Sequence, residues 1–396
     1  MNAMTRAAAA FSVAVAAATA AFVGPGRAAD PYEINVILPL TGGAAFLGKA
    51  EQDALQVAEK VVNGHGGIGG RPLRFNFRDD QSTPQVAVQL ASQVVATRPA
   101  VVIGSSLVGM CNAMAPLMEN GPVMYCLSPG IHPKPGSYVF TTNVSTHDLA
   151  TALVRYFRLR GMTRIALITS TDASGQDAQR GFEATFAQAE NKGMALVENL
   201  QFNPGDASVV AQIERIKAAN PQALIAWTTG APVATVFKAI VQSGLDVPVA
   251  TTSGNQTYAQ MRQYKDFLPK TLYMPSAMWP EHGPGLALPA AVEASQQEYF
   301  SAFKAAGLAP DIGANLAWDP AMIVVAALRK FGPNATAAQI RQFISTLKGF
   351  AAVSGVYDFE RIPQRGLDEE DCVVTQWNAE KQVWEIVSRP AGAPLR

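Results

Sequence analysis

Short β-rich runs alternate with amphipathic helical patterns along most of the chain. A first round runs from "YEINVILPL" through "GKAEQDALQVAEKVVN" to "VVIGSS" and "GPVMYCLSPG". A second round begins with "THDLATALVRYFRLRG" and "TRIALITSTD". Regular alternation of strands and helices indicates parallel sheets with helices on both faces. The two rounds therefore predict an α/β protein with two lobes of similar construction.

The final third of the chain departs from this alternation, and it must pack on the two lobes. Three helical patterns after residue 279 are predicted to complete the first lobe, and the closing β tail, "EDCVVTQWNAEKQVWEIV", the second. The chain would then cross between the lobes three times, which favours a hinged clamshell. The predicted crossings lie near His147, Thr271 and Gly349, so that lobe 1 comprises residues 30–147 and 272–348 and lobe 2 comprises residues 148–271 and 349–396.

Residues 1–29 have the pattern of a secretory signal peptide. Arg6 supplies the positive start, "AAAAFSVAVAAATAAFVG" is an Ala-rich apolar stretch, and small residues follow at Ala28 and Ala29. The alternative is a membrane anchor, but the segment is only weakly hydrophobic. No other stretch has the roughly 20 apolar residues that a membrane span needs. The mature chain is therefore expected to be soluble, without membrane insertion, and located in the periplasm.

The balance of charges limits the partners of the chain. The 31 Lys and Arg residues equal the 31 Asp and Glu residues. A neutral chain argues against nucleic acid, since phosphate binding needs a basic surplus. Export also makes the three cysteines relevant, because disulfides persist outside the cytoplasm. Cys111 and Cys126 are predicted at the same edge of a parallel sheet, so either they form a bridge or all three cysteines are buried thiols.

Hydroxyl groups and glycines recur where the predicted strands end. Open α/β sheets bind ligands outside the carboxyl ends of their strands, and glycine lets a ligand approach the backbone closely. Six strand ends with this character, spread over both lobes, predict a cleft that binds a small molecule through neutral donors. Aromatic side chains at Phe46 and Trp227 would supply apolar contact. The strand-end segments are Thr41–Gly43, Gly104–Ser106, Ser128–Gly130, Thr169–Thr171, Thr228–Gly230 and Thr252–Asn255.

The chain shows no pattern typical of an enzyme, and neither a cofactor nor a metal is predicted. The four histidines have no metal-ligand spacing to one another, to a cysteine or to a carboxylate. "GHGGIGGRP" is not followed by the Lys-Ser/Thr of a phosphate loop, and it leads into a strand instead of a helix. No Gly-x-Ser-x-Gly elbow follows a strand.

The order of "ILPLTGGAAFLG", "NGHGGIGGRPLRFNFRDDQSTP", "VVIGSS" and "LSPG" resembles the leucine/isoleucine/valine-type periplasmic binding proteins of ABC importers. The resemblance extends to "GVYDF" and "VVTQWN" near the end of the chain. It implies a type I periplasmic binding protein: a two-lobed, hinged, non-catalytic monomer that closes on a small ligand. Its implied partners are an ABC permease and ATPase complex. A ligand-sensing subunit on the same fold is the alternative.

The resemblance also suggests which residues hold the ligand. "LSPG" implies contacts from Ser128 and from the backbone at Gly130 and Ile131, and Ser174 stands where the family places a Tyr. The loop after "VIG" has Val108 or Gly109 at the usual Ser position, so the role is assigned to Ser105 and Ser106. Members of the family hold the ligand ammonium with an acidic residue, and the corresponding position in this sequence falls near Ser253, where there is no acid.

The missing acid leads to an expectation about the ligand. Burying an ammonium without an opposite charge is unfavourable, so a small hydrophobic carboxylate or a neutral ligand is expected. A branched-chain or other aliphatic amino acid remains the alternative, with Asp172 as a possible source of charge. Neutral contacts and an aromatic closure complete the predicted site, and they come from Thr229, Ser253, Asn255 and Tyr258.

Overall fold

The computed structural model describes residues 30–278, 280 and 286–395, and it contains two main sheets. The signal peptide predicted for residues 1–29 lies outside the described residues. The first sheet has five parallel strands in the order β2-β1-β3-β4-β5. Its strands are β1 (Tyr32–Leu38), β2 (Leu73–Asp79), β3 (Val101–Gly104), β4 (Val123–Cys126) and β5 (Val139–Thr141).

Helices cover both faces of the first sheet, as the alternation of side chains along its strands requires. Ile34, Val36 and Leu38 of β1 pack into one hydrophobic core, while Ile37 packs into the other. Successive side chains of a strand point to opposite faces, so the apolar side chains of β1 are buried on both faces of the sheet. The helices of this lobe are α1 (Ala45–Gly64), α2 (Pro84–Ala96), α3 (Val108–Met114), α9 (Ala290–Ala305), α10 (Ile312–Phe331) and α11 (Ala337–Ser345).

The second sheet has seven strands in the order β14-β13-β10-β9-β8-β6-β7. Six of the seven described strands run in the same direction, and β13 alone among them runs antiparallel to both of its neighbours. The strands are β6 (Arg164–Ser170), β7 (Ala195–Phe202), β8 (Ala223–Trp227), β9 (Val249–Ala250), β10 (Leu272–Ala277), β13 (Cys372–Asn378) and β14 (Val383–Ile386). Its helices are α4 (Thr146–Leu159), α5 (Ala173–Phe186), α6 (Val210–Ala218), α7 (Pro232–Ser243) and α8 (Tyr258–Gln263).

Two boundaries differ from those expected from the sequence. β10 pairs with β9 and β13, so it belongs to the second sheet and not to lobe 1. The segment after residue 349 forms a small sheet of β11 (Lys348–Ala351) and β12 (Val356–Asp358) and then packs on the first lobe. Phe359, for example, makes an edge contact with Phe140 of β5, with ring centroids 5.9 Å apart. Both differences arise because the partner of a strand is set by contacts distant in sequence.

The crossing after β5 is held by a chain of side-chain hydrogen bonds. Asn143 donates to Asn315 (3.0 Å), and Asn315 donates to Ser354 (2.9 Å). All three side chains are buried. Three separate chain segments therefore meet at the point where the chain leaves the first lobe after β5.

Cys111 and Cys126 form a disulfide between α3 and the end of β4, which is the first of the two alternatives left open by the sequence. Cys372 is a buried free thiol, and burial raises its pKa. Within the part of the chain that the structure describes, no helix combines the length and the apolar character needed to span a membrane.

Candidate functional site

A small cavity lies between the lobes, where strands of the two sheets end. The first lobe contributes Leu47, Ser106, Leu107, Val108, Ser128, Pro129, Gly130 and Leu316, and the second contributes Thr146, Ser174, Trp227, Thr229, Thr252 and Gly254. The cavity volume is about 20 Å³, which is roughly the room that a water molecule needs. Among the described residues, its lining carries hydroxyl and apolar groups but no ionisable side chain.

The lobes also contact each other directly through backbone hydrogen bonds. The backbone N–H of Ala231, in the second lobe, donates to the carbonyl of Gly43 in the first lobe (2.8 Å). The N–H of Ile312 donates in the opposite sense to the carbonyl of Gln256 (3.3 Å). The structure therefore shows the cleft in a closed form.

The second lobe supplies an aromatic wall and a pair of hydroxyls. Trp227 ends β8, is almost fully buried, and packs edge-on against Phe182 with ring centroids 5.2 Å apart. Ser174 lies in the first turn of α5, and its Oγ is 3.1 Å from Oγ1 of Thr229. Both hydroxyls come from loops after parallel strands, so the fold places them at the same edge of the sheet.

In the first lobe, a buried acid stands behind the cavity. Ser106 lines the cavity, and its Oγ shares a hydrogen bond with Oε2 of Glu51 in α1. Glu51 is fully buried, and its Oε1 has no hydrogen-bond partner among the residues that the structure describes. Burial raises the pKa of Glu51 well above its usual range, and the neighbouring Asp80 and Asp311 raise it further. The protonated form of this carboxyl is therefore favoured.

The loop that carries Ser128 and Gly130 is fixed by a guanidinium. Arg365 is buried and donates to the carbonyls of Pro129 (3.0 Å) and Ile131 (2.7 Å). It also donates to the carbonyls of Thr142 (3.2 Å) and Asn143 (3.1 Å). One side chain thus ties the loop after β4 to the crossing after β5. Burial lowers the pKa of Arg365 to about 10, so it remains charged at neutral pH.

The structure brings together half of the residues expected from the sequence and separates the rest. Those lining the cavity are Ser106, Ser128, Gly130, Ser174, Trp227 and Thr229. Ser105 lies outside the lining because its Oγ donates to buried Asp80 (2.5 Å). Ile131 is buried in the core of the first lobe, and it meets Arg365 only through its carbonyl.

The segment after β9 contributes different residues from those expected. Thr252 and Gly254 line the cavity, whereas Ser253 between them is buried outside the lining. The amide of Asn255 donates to the carbonyl of Thr228 (2.7 Å), and its oxygen accepts from the N–H of Gly230 (2.8 Å). Asn255 therefore holds the loops after β8 and β9 together. Asp172 caps α5 by accepting from the N–H of Gly175 (2.9 Å), so it is not a counter-charge in the cavity.

Phe46 and Tyr258 line a second, larger cavity of about 720 Å³ on another side of the lobe interface. Phe46 packs edge-on against Tyr264, and Tyr258 contacts Trp377, with ring centroids 6.2 Å apart in each pair. Leu47 lines the first cavity, where Phe46 was expected. Neighbouring residues of a helix point about 100° apart, so Leu47 faces the first cavity while Phe46 faces the second.

Among the described residues, one group of side chains is placed to ligate a metal. It consists of His132, His147 and Asp177, beside the first cavity. These residues lie far apart in sequence, which is why spacing alone predicted no metal site.

Comparison with known proteins identifies the group to which this architecture belongs. A family model described as "Periplasmic binding protein" matches residues 31–382. The chain belongs to the periplasmic binding protein family. The family consists of substrate binders of ABC-type transporters, and its fold is an α/β fold with helix-flanked parallel sheets. No curated protein matches this periplasmic binding protein.

Solved structures of similar fold cover nearly the whole chain. An extracellular ligand-binding receptor from Rhodopseudomonas palustris HaA2 is 21% identical with a TM-score of 0.77, and the match covers 90% of this chain and 99% of the receptor. The substrate binding protein LivJ from Streptococcus pneumoniae, in complex with isoleucine, is 18% identical with a TM-score of 0.75, covering 90% and 99%. An R. palustris solute binding protein in complex with benzoate is 19% identical with a TM-score of 0.73, covering 92% and 97%.

Sequence reasoning missed several residues that shape the site of this periplasmic binding protein. Glu51 carried a usable signal, because it is a charged residue on the buried stripe of α1 that includes Ala54, Leu55 and Ala58. Arg365 carried none, since it lies in an irregular segment far from the loop that it fixes. Thr146, at the start of α4, is a hydroxyl residue that the strand-end rule did not include. Thr252 stood within a predicted strand-end segment, but Ser253 and Asn255 were chosen from that segment as the ligand contacts.

Proposed function

We propose that this chain is the extracytoplasmic solute-binding subunit of an ABC importer, exported by the signal at residues 1–29 and active as a monomer. It closes on a small hydrophobic carboxylate or neutral ligand and delivers that ligand to the permease and ATPase complex. The observation that carries the proposal is the cavity between the lobes, where hydroxyl groups and an aromatic wall converge and where none of the described lining residues is ionisable.

The hydrogen bond between Ser106 and Glu51 supports an acidic or neutral ligand. In the structure the hydroxyl of Ser106 donates to Oε2 of Glu51. If Glu51 is protonated, as burial favours, the carboxyl donates to Oγ of Ser106 instead, and the Ser106 O–H is free to donate into the cavity. With Ser128, Ser174 and Thr229, the lining then offers several donors to a carboxylate or a carbonyl. Leu47, Val108, Leu316 and Trp227 supply the apolar contacts that orient a small hydrophobic body.

The volume of the cavity supports a hinged binding cycle. About 20 Å³ is too small for an aromatic or branched acid, so the lobes must move apart to admit one. The three crossings and the hydrogen-bonded chain through Asn143, Asn315 and Ser354 provide the pivot. The direct contact of Ala231 with Gly43 is then a contact of the closed state.

Glu51 also favours a second candidate, an aliphatic amino acid. If ligand binding ionised Glu51, its carboxylate would accept from Ser106 and would counter an ammonium through that hydroxyl. The unpartnered Oε1 of Glu51 is compatible with this alternative. The two candidates therefore differ in the protonation state of one carboxyl.

A calorimetric titration of the mature chain separates these candidates. The ligands are benzoate, 4-methylpentanoate, the matching primary amide and leucine, each titrated into the parent and into Glu51→Gln. Gln mimics the protonated acid, because its amide can still donate to Ser106. We expect an acid or amide to bind both proteins with affinities within about threefold. When the free acid is present at a concentration of 100 times its Kd, binding should also raise the free energy of unfolding by about 2.7 kcal/mol.

The controls make the outcome specific. Ser106→Ala removes the donor and should weaken acid binding about tenfold, in line with the net value of one hydrogen bond. Ser208→Ala, a hydroxyl in an exposed loop, should change nothing. Tight binding of leucine but not of 4-methylpentanoate, lost in Glu51→Gln, would establish the amino-acid candidate instead. Binding of none of these ligands would refute the proposed ligand class.

A further inference from the structure

We infer that His132, His147 and Asp177 form a binding site for a divalent transition-metal ion such as zinc, which bridges the two lobes beside the ligand cavity. Nε2 of His132 lies 2.9 Å from Oδ1 of Asp177, and Nε2 of His147 lies 3.3 Å from the same oxygen. The ligand atoms of the three residues all lie within 4.8 Å of one another.

These separations suit a common metal ion. Zinc binds imidazole nitrogen and carboxylate oxygen at about 2.0–2.2 Å, so neighbouring ligand atoms of a tetrahedral site are about 3.3 Å apart. Two imidazoles and one carboxylate are also a ligand set that zinc and its first-row neighbours accept. Closing the three groups onto one ion needs only small side-chain movements.

Unpartnered buried atoms provide a second, independent observation. The side chain of Asp177 is only 1% exposed, yet its Oδ2 makes no hydrogen bond to any described residue. Nε2 of His147 is also buried and has no hydrogen-bond partner of good geometry within the described chain, although it lies 3.3 Å from Oδ1 of the carboxylate. Leaving a buried polar atom without a hydrogen-bond partner is unfavourable, because the atom loses its contacts with water and gains none in return. A bound cation would satisfy both atoms at once.

Two glycines make room for the cluster. A Cβ on Gly181 would lie 2.7 Å from Cδ2 of His147, and a Cβ on Gly130 would lie 3.2 Å from Oδ2 of Asp177. The imidazole and the carboxylate thus occupy space that a side chain would take. The outer faces of His132 and His147 remain 46% and 42% exposed, which allows an ion to enter and a water to complete its coordination.

The site joins the lobes because its ligands come from both of them. His132 belongs to the loop between β4 and β5 of the first lobe, while His147 begins α4 and Asp177 lies in α5 of the second. Gly130 and Thr146, which line the ligand cavity, are two and one residues away from the histidines. A metal held by all three ligands would therefore stabilise the closed cleft. Reciprocity then requires that metal and ligand strengthen each other's binding.

Arg180 is the group that competes with a metal. Its Nη2 lies 3.3 Å from Oδ1 of Asp177, but its side chain is 63% exposed and can swing into solvent. Exposed pairs of this kind contribute little. Replacing Arg180 should consequently improve metal binding. If the three residues instead form only an ion-pair cluster without a metal, the same change would remove one of its ion pairs and weaken it.

Zinc chloride titration of the mature chain, stripped with a chelator and free of any histidine tag, tests the site. We expect one zinc per chain, binding at least tenfold weaker in His132→Gln, His147→Gln and Asp177→Asn, and tighter binding in Arg180→Gln. His65→Gln, at an exposed turn, should bind zinc like the parent. Cobalt should give the intense visible bands of tetrahedral coordination in the parent, in Arg180→Gln and in His65→Gln, but not in the three ligand variants.

Two results would overturn the inference: no stoichiometric zinc binding by the parent, or equal binding by the parent and the three ligand variants. Circular dichroism checks that each variant is folded, and the half-exposed histidines make unfolding of those two variants unexpected. The titration without any organic ligand tests the metal site alone. The coupling to closure rests on the proposed function, and repeating the ligand titration with zinc tests it separately.

Discussion

Asp311 allows a quantitative test of the electrostatics at the lobe interface, and the perturbation is Asp311→Asn. This carboxyl caps α10 by accepting from the N–H of Gly313 (3.1 Å), and it is also hydrogen-bonded by the backbone of Tyr258 from the other lobe. Burial raises its pKa from 3.8 to about 7, and these backbone hydrogen bonds only partly oppose the shift.

The raised pKa fixes the sign of the effect. Between about pH 4 and pH 7 the folded state keeps a proton that the unfolded state has lost, so stability falls as the pH rises through that window. With pKa values of 3.8 unfolded and about 7 folded, the free energy of unfolding is lowered by about 2 kcal/mol at pH 5 and about 4 kcal/mol at pH 8. An Asn at this position keeps the helix cap but has no proton to lose. The free energy of unfolding of Asp311→Asn, relative to that of the parent, should therefore increase by about 2–3 kcal/mol from pH 5 to pH 8.

Urea unfolding of the parent and the variant at pH 5 and pH 8 measures this difference. Asp246→Asn is the matched control, because Asp246 is 69% exposed and pairs with Lys270 only at the surface. The control should give the same small effect at both pH values. An Asp311→Asn effect that is equal at pH 5 and pH 8 would refute the reasoning, since it would mean that Asp311 is ionised in the folded protein at pH 5.

Three further predictions concern the framework of the site. Arg365→Met should lower ligand affinity at least tenfold by calorimetry, because four carbonyls lose their donor; unchanged affinity would mean that the loop holds itself. The double change Cys111→Ala and Cys126→Ala should lower the free energy of unfolding by about 3 kcal/mol for a loop of this length, and added reductant should then have no effect. Gly130→Ala should weaken ligand binding about tenfold in the same titration, since its Cβ would lie 2.6 Å from Cγ2 of Val108; unaltered binding would show that closure tolerates the methyl group.

The two-lobed α/β fold could be predicted from the sequence because it rests on local patterns. Apolar runs buried on both faces, such as β1, and amphipathic helices such as α1 repeat in a fixed order. The partner of a strand is a non-local property, however, and β10 shows the limit. Its sequence identifies a strand, but nothing within it indicates that β9 and β13 are its neighbours.

The site was predictable where it follows from strand ends and unpredictable where it depends on rotation or on distant contacts. Ser128 follows β4 closely, so the edge rule placed it at the cavity, whereas Ser174 lies in the first turn of α5 and was indicated only by the resemblance to the family. Phe46 and Leu47 differ by one helical step, which sequence reading does not resolve. His132 and Asp177 are 45 residues apart, and only the docking of the two lobes brings them together.

The segment "TTSGN" after β9 gives a direct test of the ligand's charge. Thr252 lines the cavity and caps the short turn that follows by accepting from the N–H of Gly254 (3.2 Å). Thr252→Asp keeps that cap and adds a carboxylate, while Thr252→Asn keeps it and stays neutral. Two like charges about 4 Å apart repel by about 4 kcal/mol at an effective dielectric constant of 20. The Asp variant should thus bind 4-methylpentanoate at least a hundredfold more weakly than the Asn variant, and leucine no more weakly. Equal acid binding by both variants would place the ligand carboxylate elsewhere, because a charge at Thr252 cannot leave an adjacent anion unaffected in a closed cleft.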